Sequence, residues 1–185
     1  MPEPTQNLEA LHCELEWLTE TIQQSMTRYF KQDGHDTLSD NMTPPYLDPA
    51  NSLYARQIQD WQLSTSERLA LALALAPHLR PEALDPFLIL NSGTGHSFTQ
   101  FGGTTQRHFN GFLPTGQTLA FLLSANDPPR ILEALRILGP QHRFSAEKLL
   151  ALEPRAEQLP LLAGVLIMSH SWVRHLLSGE PVGKS

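Results

Sequence analysis

The sequence predicts an α+β fold, mostly helical, with a small sheet and an amphipathic N-terminal helix in front of it. Three observations carry that expectation. The run Arg68 to Ala76 contains only Leu and Ala after its arginine, and both residues are strong helix formers. Leu8, Leu11, Leu15, Leu18 and Ile22 recur at alternating spacings of three and four, the signature of one apolar helix face. Val165-Leu166-Ile167-Met168 is a short, continuous apolar run of the kind found in buried strands.

Residues 1–30 read as the amphipathic helix, with Met26 and Tyr29 continuing the stripe and Glu14, Glu16, Glu20 and Gln24 off it. The stripe can dock on its own domain, or it can pair with another chain through Leu8, Leu11, Leu15 and Leu18. Residues 31–52 are rich in Asp, Asn, Pro and Gly, which break every period. They read as a linker, and a linker of this length makes the first helix a separate attachment.

The main domain spans 53–180 and is organised around one helix. Ser64 and Glu67 have the spacing of a capping box, in which each side chain satisfies the other's backbone amide. Pro77 is expected to stop that helix, because it lacks an amide and crowds the preceding turn. A helix with no polar side must be covered all round, so Leu69, Leu71, Leu73 and Leu75 are all expected inside. Pro81 and then Asp85-Pro86 open a short, kinked second helix before Phe87-Leu88-Ile89-Leu90.

Residues 91–116 hold six glycines without the spacing of a phosphate loop, and read as turns and strand bends. Thr115 is expected to cap a buried helix over 117–125. Asp127-Pro128 starts another, with Ile131, Leu132, Leu135 and Leu138 as its inner face and Gly139-Pro140 as its stop. Gln141 to Phe144 reads as a short strand, Ser145 as the cap of a helix through Leu152, and Ser169 as the cap of a last turn closed by Gly179. Residues 181–185 form a tail.

Composition narrows the function. With 41% hydrophobic and 17% charged residues the chain is a folding one. A net charge of −6 argues against nucleic acid, whose binding rests on Lys and Arg neutralising phosphates. Arg130, Arg136, His142, Arg143 and Lys148 would revive DNA binding if they shared a face. Cys13 is alone, so no intrachain disulfide forms, which fits a reducing compartment. There is no basic-then-apolar leader and no run of the ~18 apolar residues a membrane span needs. The chain reads as cytoplasmic.

No motif points to catalysis, a metal or a cofactor. Gly179-Glu180-Pro181-Val182-Gly183-Lys184-Ser185 is one residue short of a Walker A loop. The eight histidines form no His-x-x-x-His pair with an acidic partner. The glycine-rich segment instead offers Phe101, Arg107, His108 and Phe109, residue types favoured at protein interfaces.

The ordered motifs Ser64 to Phe87, Phe98-Thr99-Gln100-Phe101-Gly102-Gly103, Gly111 to Thr118 and Phe121-Leu122-Leu123 carry a family resemblance. Together they resemble the winged-helix domain found before the AAA+ ATPase module of proteins encoded with phage-tail-like contractile injection systems. The resemblance covers about residues 53–180. It implies a winged-helix-like domain in a bacterial cytoplasmic protein that handles the contractile particle. It also implies a partner: a component of that particle, or an ATPase module. The chain stops where the ATPase would begin, so ATP hydrolysis is not carried over. The expected function is protein docking, with DNA binding through a winged helix as the alternative.

Overall fold

The computed structural model describes residues 3–31, 43–124, 128–154 and 156–183. Half of the expected linker, residues 32–42, as well as Asp127 and the terminal Lys184-Ser185 lie outside these residues. The fold is α+β and mostly helical, with two small antiparallel two-stranded sheets.

Helix α3 (Thr65–Leu79) is the centre. Its capping box is formed, with the Ser64 amide donating to Glu67 Oε2 at 2.8 Å and the Glu67 amide to Ser64 Oγ at 3.2 Å. Every residue from Leu69 to Ala76 is buried, as its all-round apolarity demands. The helix does not stop at Pro77 but runs on to Leu79. Proline removes only one hydrogen bond here, in the last turn, and the Arg80 amide still bonds Ala76 O at 2.8 Å.

Helix α1 (Pro4–Phe30) is no separate attachment. Leu11, Leu15, Leu18 and Ile22 are at most 3% exposed and belong to the same core as α3. Burying each is worth about 1.5–3 kcal/mol, more than an exposed tether would gain. Three of the four leucines expected to face a partner therefore face inward, and only Leu8 is exposed.

Two buried polar groups fix α1 in register. Asn7 donates to Leu176 O at 2.6 Å, and its Oδ1 accepts from the Ser52 hydroxyl and the Tyr54 amide. It thereby joins α1 to both α2 (Leu53–Trp61) and α7 (His170–Ser178). Glu14 accepts from Arg68 Nε at 2.9 Å and from the Tyr54 hydroxyl at 3.0 Å. Burial pushes the Glu14 carboxyl above its ordinary range even though Arg68 opposes the shift.

After α3 a 3-10 helix, Pro81–Leu88, buries Ala83, Leu84 and Phe87. Strands β1 (Thr104–Gln106) and β2 (Phe109–Leu113) form a hairpin from the glycine-rich segment. Gly103, at φ +81°, lies so close to the Phe112 ring that a Cβ would overlap it. Helix α4 (Gly116–Ser124) follows, but the Thr115 hydroxyl accepts from no amide of its first turn among the described residues; the Thr118 hydroxyl accepts instead from the Thr115 amide. The Thr115 hydroxyl accepts from the Gly103 amide, while Gly116 and Gln117 donate to Gly164 O and Leu162 O.

Helix α5 (Ile131–Ile137) buries Ala134 and Ile137, whereas Ile131 and Leu132 are exposed. The expected inner face is therefore rotated. The chain at 141–144 is not a strand. His142 Nδ1 accepts from the Phe144 amide and starts a helical turn, α6 (Arg143–Ala146). The helix expected through Leu152 is replaced by β3 (Leu150–Glu153), paired antiparallel with β4 (Val165–Met168). Leu, Ala and Glu favour helix, but a ready apolar partner strand overrides that preference.

Two substitutions test this core. Leu73→Asp places an unpaired charge in the centre and should abolish cooperative thermal unfolding; melting like wild type would refute the enclosure of α3. Arg68→Ala leaves Glu14 buried without its cation and should cost about 3–5 kcal/mol in denaturant titration. Adding Glu14→Gln should recover part of that loss.

Candidate docking groove

Strand alternation sets the faces of the second sheet. Leu150, Leu166 and Met168 are buried with Leu152 half-buried, while Glu153 and Ile167 on the opposite face are exposed. The β3–β4 connection carries Pro154 and Pro160, which deny it a regular helix or strand. Its leucines cannot share a periodic face. Leu162 turns inward at 8% exposure, whereas Leu159 is 46% and Leu161 77% exposed.

Between this connection and the C-terminal end of α5 lies a groove of about 560 Å³. Leu138 and Pro140 form one wall, Leu152 and Pro154 the other, with Leu159 and Leu161 at the rim beside Glu157. Such a surface is apolar, concave and solvent-facing, which suits the capture of apolar groups. None of its residues was a sequence candidate. The signal was present as Leu159-Pro160-Leu161-Leu162, an apolar run that proline keeps from folding away.

The sequence candidates are scattered. Phe101 is fully buried beneath the hairpin, its ring 4.9 Å from Phe121 and 5.0 Å from Tyr29. Arg107 and His108 are exposed at the β1–β2 turn, and Phe109 is half-buried. Leu11, Leu15 and Leu18 are buried, as described. The structure thus does not bring the eight together into one surface.

Several of the basic residues are already engaged. His142 Nε2 lies 2.8 Å from Glu67 Oε1, with Arg136 3.8 Å from the same oxygen. Arg130 faces Glu133 at 3.7 Å, and the Arg143 guanidinium sits over the Trp61 ring at 5.3 Å. This leaves little uncompensated charge for a phosphate backbone. Among the described residues no group of three or more His, Cys, Asp or Glu could hold a metal ion, and no helix is long and apolar enough to cross a membrane.

Comparison of the chain with known protein families, characterised proteins and solved structures finds no match.

Glu67 has an acid-sensitive role. Burial pushes its carboxyl up, but the Ser64 amide and His142 outweigh this and hold it below its ordinary value of 4.5. Since the folded state lowers this value, the stabilisation is present above pH 4.5 and lost as pH falls through the folded value. The stability gap between wild type and Glu67→Gln should therefore shrink as pH falls below 4.5. A gap that widens below pH 4.5 in chemical denaturation would refute the assignment.

Proposed function

We propose that this chain is a non-catalytic protein-docking module, a winged-helix-like domain that attaches an AAA+ ATPase module or a contractile-particle component in the bacterial cytoplasm. The single observation that carries the docking reading is the groove with Leu159 and Leu161 exposed at its rim. Exposed apolar clusters on a folded surface are costly to keep soluble and mark interaction sites. Two β-hairpins set against a helical core support the winged-helix reading. The resemblance supplies the partner class. Engagement of Arg130, Arg136 and His142 by Glu133 and Glu67 supports protein over DNA as the ligand.

The test compares tagged wild type with a Leu159→Asp, Leu161→Asp variant, whose changes lie at exposed positions and should leave the melting temperature within a few degrees. Wild type should retain an AAA+ ATPase or a contractile-particle protein from its host, identified by mass spectrometry, and the variant should lose about tenfold or more of it. Duplex DNA, followed by fluorescence anisotropy at two salt concentrations, should not bind at physiological salt. Tight binding that falls steeply with salt would overturn the reading.

A further inference from the structure

We propose that β3 takes an extended apolar segment of the partner protein as an added strand, with a Lys or Arg flank lying at the Glu153–Glu157 end. The inference rests on the docking reading and specifies how the groove is occupied.

The hydrogen-bond pattern leaves β3 with an open edge. Leu150 pairs with Met168, Ala151 with Ile167, Leu152 with Leu166 and Glu153 with Val165. Beyond the strands, the Ser169 amide donates to Leu149 O. In an antiparallel ladder, bonded and non-bonded pairs alternate, so Ala151 and Glu153 point their main-chain groups at β4. Leu150 and Leu152 point theirs away. The opposite edge of β4 obeys the same alternation, because the Leu166 amide turns outward to Pro114 O at 2.8 Å. Thr115 and Val165 form a bridge there, and Gly116 donates to Gly164 O. That edge is therefore covered. On the outer side of β3, no backbone bond to Leu150 or Leu152 occurs among the described residues.

The groove adjoins the C-terminal end of this strand, where Leu152 and Pro154 line it together with Gly164 just before β4. An open edge and adjoining apolar pockets are the two requirements of strand addition, since the main chain supplies attachment and alternate side chains supply specificity. Pro154 has no amide and ends the ladder, so Leu150–Leu152 can hold only a short stretch of added strand. The incoming segment must gain the rest of its affinity from side chains seated between Leu138 and Leu161. A helix in the groove would leave the edge unpaired.

Charge sets the flank. Glu153 and Glu157 are exposed and have no ion-pair partner among the described residues. The stretch 153–157 carries these two carboxylates against one guanidinium, on a chain of net charge −6. A cationic flank at that end is attracted, and an anionic one is repelled.

The experiment pans a display library of random short peptides against the full chain, then follows the enriched peptides by affinity and by amide hydrogen exchange of the 15N-labelled protein. The expected peptides have a proline-free apolar core of β-forming residues with Lys or Arg on one side. Leu161→Asp should weaken them about tenfold or more, and Glu157→Lys should weaken them severalfold. On binding, the Leu152 amide should exchange at least about tenfold more slowly. Both substituted positions are exposed, so the fold is kept.

Peptides that need Leu161 but leave Leu152 exchange unchanged overturn strand addition while the docking reading survives. Enrichment of acidic-flanked peptides overturns the stated partner chemistry. If Leu161→Asp captures the same peptides as well as wild type does, the groove reading and this inference fall together. Protection of Leu152 without peptide, accompanied by a doubling of mass in solution, overturns a foreign partner in favour of a second copy.

Discussion

The enclosure of α3 is the constraint on which the rest depends. From Leu69 to Ala76 the helix offers no side chain that tolerates water, so a neighbour is required in every direction. α1, α4, α5, β4 and the 3-10 helix all pack against it. This demand explains why a helix joined through a long polar segment is nevertheless part of the core. The apolar stripe of α1 covers a side of α3 that would otherwise be wet, and the loop-closure cost grows only slowly with length. Arg68, in the second turn of α3, adds direction to the packing. Its guanidinium is almost buried, so it needs a carboxylate; Glu14 provides one, and Tyr54 and Pro45 O satisfy the remaining polar groups. Removing either member would leave a charge stranded, which is how one buried pair selects a single register of α1 on α3.

How much of this could be read from sequence depended on whether local and global preferences agreed. The capping box, the burial of all four leucines, β4 and α7 closed by Gly179 in the left-handed conformation are cases of agreement. The misreadings occur where they part. Leu150-Ala151-Leu152-Glu153 is locally a helix, and only the presence of β4 makes it a strand. On α5 the sequence periodicity counted Ile131 and Leu132 as core. The surface actually buried lies around Ala134 and Ile137, because a small residue lets α5 approach its neighbours closely. The site was the least legible part. Leu159 and Leu161 have no periodicity to expose them, and their significance arises only once α5 and β3 place walls beside them.

Glu67 shows how one side chain can decide between functional classes. It caps α3 through Ser64, holds His142 and lies beside Arg136. Three tasks converge because the start of α3 is also where the chain around α6 docks. A cluster of cations that looks suited to phosphate when read along the sequence is thus drawn into locking elements together. The remaining distinctive surface is apolar, which shifts the functional argument from charge to shape.

The groove is a product of the fold rather than of a loose loop. At the start of helix α4 the Thr118 hydroxyl accepts from the Thr115 amide, and the amides of Gly116 and Gln117 are satisfied by Gly164 O and Leu162 O. Those bonds fix the orientation of the chain at 162–164, and with it the inward turn of Leu162 beneath Gly116. Leu161, one residue earlier, is then forced outward by the same geometry that buries Leu162. Bringing Leu161 inside would twist the connection, strip α4 of its N-terminal acceptors and pull β4 off Pro114. The exposed leucine is therefore held in place by the capping of a core helix. An apolar rim tied by these bonds to the centre of the domain and adjoining an unpaired strand edge is what the proposed docking would use, and such a tie would reduce the ordering entropy lost on binding.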